Sequence, residues 1–161
     1  MERDFNRHIG YYVQETARIL TRVHNEMLKR HEISYAQFRV LNCLWEQDGM
    51  KQLEIAEQLH ITPASLSGLL SLLAKKGFIE RQVDEQDTRS RRIHLTETGK
   101  FLKAVSWDIM EELETVLSGH FSTGEKELML EWMRKVMQSI AKKEAALCTG
   151  TERDYTAKGE E

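Results

Sequence analysis

The stretch RQVDEQDTRSRRIHLTETG, Arg81 to Gly99, gathers the side chains best suited to grip an anion: Arg89, Arg91 and Arg92, with Asp84, Glu85 and Asp87 among them. A guanidinium is a planar fork of donors, and an arginine placed in a narrow, electronegative groove of a duplex gains from the potential there. A neighbouring carboxylate can hold that fork in one rotamer before it binds. Arg89, Arg91 and Arg92 are expected to reach outward, with the three acids opposing them. Strand alternation puts Arg91 and Ile93 on one face and Arg92 and His94 on the other, so Arg91 and Arg92 cannot both follow one backbone. The same composition also fits a solvated charge run with weak surface ion pairs.

Other chemistries find less support in the residues. No Gly-rich phosphate loop, no Gly-x-Ser-x-Gly and no carboxylate pair on a pocket-forming spacing is present, so neither enzymatic activity nor a cofactor is expected. EELE, Glu111 to Glu114, reads as a solvated helix face. The six histidines form no HxxxH and no His-His pair, so no metal site is expected. Cys43 sits among Leu41, Leu44 and Trp45 and reads as an inert buried thiol, while nothing near Cys148 activates it.

The chain must position such a probe within 161 residues, enough for one domain with a real core or one domain plus a dimerisation element. Its single proline and few glycines argue against an all-β sandwich. No apolar run approaches the roughly 18–20 residues of a membrane span. MERDFNRHIGYY lacks a signal-peptide core, and the two cysteines form no CxxC, so a reduced, cytoplasmic protein without membrane contact is expected. Net charge is −3 but unevenly spread. His60–Lys100 holds seven Lys/Arg against five Asp/Glu, +2, and Phe101 to the end eight against twelve, −4. The basic middle hints at nucleic-acid contact.

Ile9 to Leu28 repeats apolar residues at helical spacing (Ile9, Tyr12, Val13, Ala17, Leu20, Val23, Met27) and predicts a long amphipathic helix. Ser34 with Gln37 is a capping-box signature opening a second helix that Asp48-Gly49 ends. LEIAEQL predicts a short helix with Leu53, Ile55, Ala56 and Leu59 inward. After a tight His60-Ile61 connection, Thr62-Pro63 starts a helix running to Lys76, ended by Gly77. Helix, short helix, turn, helix is a helix-turn-helix, and FIERQV with RRIHLT predicts a following two-strand hairpin, a wing. Thr96 caps a long helix closed at Gly119, and Ser122 with Glu125 opens the last one. The expected fold is mainly α: a winged helix-turn-helix over 34–99, helices at 1–33 and 100–148 forming a dimerisation region, and a mobile tail at 149–161. The end helices are too long and too apolar for the small centre to cover, which predicts a homodimer.

This order of elements, with SYAQFRVLNCL, QLEIAEQLHITPASLSGLLSLLAKKGFIER and DEQDTRSRRIHLTETG, resembles the MarR (multiple antibiotic resistance regulator) family over nearly all of the chain up to about Leu147. KKGFIER followed by Asp-x-Arg and LTETG is the most specific part. The resemblance implies a homodimeric regulator of double-stranded DNA, a repressor or activator. Its recognition helices would enter major grooves and its wings the adjacent minor grooves, with Arg89 the minor-groove arginine and Asp87 its orienting carboxylate. It also implies small-molecule control, often by a phenolic or other small aromatic effector bound between the DNA-binding lobe and the dimerisation helices. His8, Tyr11, Tyr12, Arg18, Phe38, Trp45 and Trp107 are candidate lining residues, each equally suited to core or dimer interface; Arg18 also suits an ion pair with another helix. The zinc-sensing branch uses a dense His/Glu/Cys cluster and the hydroperoxide-sensing branch a cysteine early in the first helix. Neither is present here.

The recognition helix departs from the family. Leu66, Leu69, Leu70 and Leu73 face the core, leaving Ala64, Gly68, Ser71 and Lys75 outward, flanked by Ser65, Ser67 and Leu72. The family commonly has arginine near 68 and 72. Small residues here let the helix lie close to a groove, with the hydroxyls of Thr62, Ser65, Ser67 and Ser71 making adaptable contacts and Lys75 and Lys76 reaching phosphate. The alternative is a protein-interaction module of the same fold with weak intrinsic DNA binding.

Overall fold

The computed structural model describes residues 7–84 and 91–148. The chain divides into two compact units, residues 1–113 and 114–161. In chain order the elements are α1 (Ile9–Leu28), a 3-10 turn (Lys29–His31), α2 (Tyr35–Glu46), β1 (Met50–Lys51), α3 (Gln52–Leu59), α4 (Pro63–Lys75), β2 (Ile79–Val83), β3 (Arg91–Leu95), α5 (Glu97–Ser118) and α6 (Thr123–Cys148).

Local chemistry sets most of the helix starts. Ser34 Oγ accepts from the Gln37 amide at 3.2 Å while Gln37 Oε1 accepts from the Ser34 amide at 3.0 Å, a reciprocal capping box. Thr62 Oγ1 accepts from the Ser65 amide at 3.2 Å, and Pro63 occupies the first turn of α4, where a missing N–H costs nothing. Thr96 Oγ1 accepts from the Gly99 amide at 3.1 Å at the head of α5. Between α3 and α4, His60 takes the left-handed conformation (φ 53°), and the Ile61 amide closes back on the Ala56 carbonyl at 3.1 Å. Gly77, also left-handed, ends the turn after α4.

The sheet has three strands in the order β1-β3-β2, all antiparallel, so the wing is wider than the hairpin expected from the sequence. β1 is only Met50–Lys51, paired Met50 to Ile93 and Lys51 to Arg92. Ile79 pairs with Leu95 and Arg81 with Ile93. Ile79, Ile93 and Leu95 are buried on this face, in one core with Val40, Leu41 and Leu44 of α2, Ile55 of α3, and Leu66, Leu70 and Leu73 of α4. Leu69 is only partly buried at its edge. Leu53, expected inward, is instead 60% exposed: it lies in the first turn of α3 and lines an open cleft with Glu57, His60 and Pro63.

On α1 only His24 and Leu28 are buried, and Ile9, Tyr12 and Val23 stay exposed. In the second unit, Ser122 and Glu125 form the expected capping pair, and Lys126 bridges to Glu114 at 2.5 Å. α6 buries none of its residues; Leu128, Trp132, Met133, Met137 and Ile140 are all exposed. Among the described residues, no helix is long and apolar enough to cross a membrane.

Gly99 marks the tightest approach in the first unit: a Cβ there would collide with the backbone carbonyl of Phe78, which cannot swing away as a side chain can. Gly99→Ala is therefore expected to lower stability by about 1–3 kcal/mol in urea denaturation. Gly124→Ala, where an added Cβ meets nothing within 4 Å, is expected to raise it by up to about 1 kcal/mol.

Candidate nucleic-acid interface

α4 turns Leu66, Leu70 and Leu73 into the core and leaves Ala64, Ser65, Gly68, Ser71 and Lys75 exposed, with Ser67 half-buried. The hydroxyls of this face are already ordered. Thr62 Oγ1 and Ser65 Oγ lie 2.9 Å apart within the cap, and Ser71 Oγ donates to the Ser67 carbonyl at 2.8 Å. A Cβ added at Gly68 would meet nothing within 4 Å, so the surface is open there. Lys76 does not project toward an outside phosphate as the sequence suggested. Its Nζ donates to the Glu32 carbonyl and, at 3.4 Å, to Gln37 Oε1, tying the end of α4 to the head of α2.

The strands beside α4 carry a network that the sequence did not disclose. Asp84, read as an exposed acid opposing the arginines, is 1% exposed. Its carboxylate lies 3.0 Å from Arg92 Nε and 3.2 Å from Lys51 Nζ. Arg92 also donates through Nη1 to the Gly49 carbonyl at 2.8 Å. Arg92, expected to reach outward, is thus drawn back onto β1, because a carboxylate removed from water needs cations beside it. Arg91, on the opposite strand face, is exposed. Asp87 and Arg89, the wing-tip pair, lie outside the described residues. Farther along β3, Asp48 accepts from the Leu95 amide at 2.8 Å and meets His94 Nδ1 at 3.2 Å, fixing the end of β3 to the loop after α2.

Sequence reasoning passed over Arg81. It is exposed on β2, and its Nη2 donates to Ser71 Oγ at 3.1 Å, joining wing to recognition helix. Only the register could have revealed this, because Arg81 shares a sheet face with Ile79 and Ile93.

The candidate effector residues do not form one cluster. Phe38 is buried, packed against His24 (centroids 4.9 Å), Tyr35 and the edge of Trp45 (5.9 Å). Trp45 Nε1 donates to the Gly99 carbonyl at 2.9 Å, so it staples α2 to α5. Tyr11 and Tyr12 touch each other edge-on near the start of α1, and His8 precedes that helix as its N-cap residue. Arg18 pairs with Glu15 of its own helix at 2.6 Å rather than with another helix, and Trp107 is 61% exposed on α5. His24 is buried, and among the described residues its Nε2 meets no hydrogen-bond partner; burial holds its pKa below the ordinary imidazole value. Burial likewise raises Cys43, whose Sγ donates to the Arg39 carbonyl at 3.3 Å, which disfavours the thiolate.

A helix-turn-helix followed by a strand pair that grips the recognition helix defines a winged-helix protein. A family model described as MarR family matches residues 33–90. The chain is 31% identical over 99 residues to the organic hydroperoxide resistance transcriptional regulator of Bacillus subtilis, covering 62% of this chain and 67% of that protein. It is 34% identical over 93 residues to the HTH-type transcriptional regulator TtmR of Methylorubrum extorquens, covering 58% of this chain but only about half, 48%, of that relative. The crystal structure of a Staphylococcus aureus MepR–DNA complex superposes with TM-score 0.75 at 31% identity, over 82% of this chain and 98% of that one. The chain belongs to the MarR family, whose members are transcriptional regulators rather than enzymes.

Two outcomes follow from these contacts. Asp84→Ala leaves Lys51 and Arg92 facing each other without their shared anion, and is expected to lower stability by about 1–3 kcal/mol in chemical denaturation. For His24, the unfolded chain takes up a proton more readily than the folded one. Stability is therefore expected to fall as the pH drops below about 6.5 toward the depressed folded value, with no contribution from this group above that range. Comparing wild type with His24→Leu between about pH 7 and pH 5 checks this; equal pH slopes would sink it.

Proposed function

We propose that the chain is a homodimeric, sequence-specific DNA-binding regulator, a repressor whose DNA affinity is modulated by a small aromatic ligand. The observation that carries the DNA reading is the exposed, uncovered face of α4 flanked by a strand that hydrogen-bonds to it through Arg81 and Ser71. Residues 34–99 serve as the DNA-binding part, with Thr62, Ala64, Ser65, Ser67, Gly68, Ser71 and Lys75 toward the major groove and Asp87, Arg89 and Arg91 toward the minor groove. Arg92, held by Asp84, sets the hairpin on the body. The MepR–DNA complex supports this arrangement by likeness.

The exposed apolar residues of α1 (Ile9, Tyr12), of α5 (Phe101, Trp107) and of α6 (Leu128, Trp132, Ile140) support the homodimer, since each helix carries large side chains that one chain leaves in water. Residues 1–33 and 100–148 are its dimerisation region in this reading. Tyr11, Tyr12 and Trp107 supply exposed aromatic surface for an effector, and Trp45 lies at the edge of the core beside the buried Phe38.

The test is titration of the intergenic DNA next to the gene with wild-type protein and Arg89→Ala at several salt concentrations. Wild type is expected to bind with a steep salt dependence. Arg89→Ala is expected to bind more weakly and with a slope shallower by about one unit per chain bound. Wild-type protein that shows no salt-dependent binding to any such fragment, with or without aromatic acids and phenols added, would return the fold to a protein-interaction role.

A further inference from the structure

We propose that Arg81 is a specificity-determining residue: a guanidinium lent by the wing to the recognition helix, which reads a guanine in each half-site. The proposal rests on the DNA-binding reading above. Arg81 pairs with Ile93 across the sheet, so it lies on the same face as the buried Ile79, Ile93 and Leu95. That face packs against the helices, and Arg81 sits one step farther out along β2 than Ile79, where the core ends and the side chain is exposed. Its Nη2 donates to Ser71 Oγ at 3.1 Å. Ser71 Oγ in turn donates its own proton to the Ser67 carbonyl at 2.8 Å, which leaves its lone pairs for the guanidinium.

The helix itself sends no arginine to this surface. Around Ser71 it presents Ala64 and Gly68, and a Cβ at Gly68 would meet nothing within 4 Å. A fork of donors from the neighbouring strand therefore lies beside a helix face of small side chains. Among the described residues, no carboxylate stands within ion-pair distance of Arg81. Among the described residues one guanidinium nitrogen is engaged, and the side chain is exposed. Arginine set bidentate on guanine O6 and N7 is the commonest specific contact in a major groove, and the serine anchor restricts the side chain's rotamers in advance.

Selection from a random-sequence duplex library tests this, using wild type, Arg81→Ala, Arg81→Lys and Ser71→Ala, each checked for unchanged secondary structure and melting. Wild type is expected to enrich sites with guanine at one fixed position per half-site. Arg81→Ala is expected to lose that preference and to bind the wild-type site about 5- to 150-fold more weakly, with non-specific DNA bound nearly as before. Arg81→Lys keeps the charge without the fork and is expected to lose most of the preference, and Ser71→Ala to blur it. Identical enriched sites for wild type and Arg81→Ala would overturn the proposal. So would equal weakening toward specific and scrambled duplexes, which marks a phosphate contact. Wild-type protein that enriches no site at all would instead overturn the DNA-binding reading on which the proposal stands.

Discussion

Asp84 is almost wholly removed from water, and an ionised carboxylate in that position must be met by cations or it unseats the structure around it. Lys51 and Arg92 meet it, and those two residues are themselves a cross-strand pair joining β1 to β3. The carboxylate thus closes a ring running from the end of β2, through β3, to the residue that precedes α3. This ring ties the hairpin to the residue at the head of α3. A two-residue strand such as β1 has little cohesion of its own. Arg92 reinforces it by donating to the Gly49 carbonyl, and the Gly49 amide donates to Ile93 at 3.1 Å.

The consequence for the site is a surface assembled from two elements distant in sequence. α4 contributes a polar, low-relief face on which the Thr62, Ser65 and Ser71 hydroxyls are engaged within the helix or its cap, and β2 contributes the guanidinium. A recognition helix judged alone looks underequipped for base contacts. Set beside its wing, it gains a forked donor whose position is fixed by a hydrogen bond to the helix itself.

What was legible in the sequence was local. Ser34 with Gln37, Thr62 with Pro63, Thr96 and Ser122 with Glu125 each announce a helix start through partners three residues away, and each appears as expected. The order of the helix-turn-helix and its strands was legible for the same reason, and so was the family. The rest depends on pairing across long separations. Met50 and Lys51 carry no strand signal and become β1 only because Ile93 and Arg92 lie opposite. Asp84 sits in a run of charges whose composition implies solvent, and only the fold shows that it is interior. Lys76 looks like a phosphate ligand until α4 is placed against Gln37 and the Glu32 carbonyl. Leu53 obeys the helical period, but the period says nothing about where neighbouring helices stop.

The first turn of α5 meets the base of the wing with no layer of side chains between them. Gly99 rests on the Phe78 carbonyl, the Phe78 carbonyl accepts from the Thr96 amide at 3.1 Å, and the Gly99 carbonyl is held by Trp45. Backbone against backbone has no rotamers to absorb a shift, so this joint behaves as a weld rather than a bearing. A displacement of the start of α5 is passed to Phe78 and Ile79 with little slack, and from there along β2 toward the arginine that rests on α4.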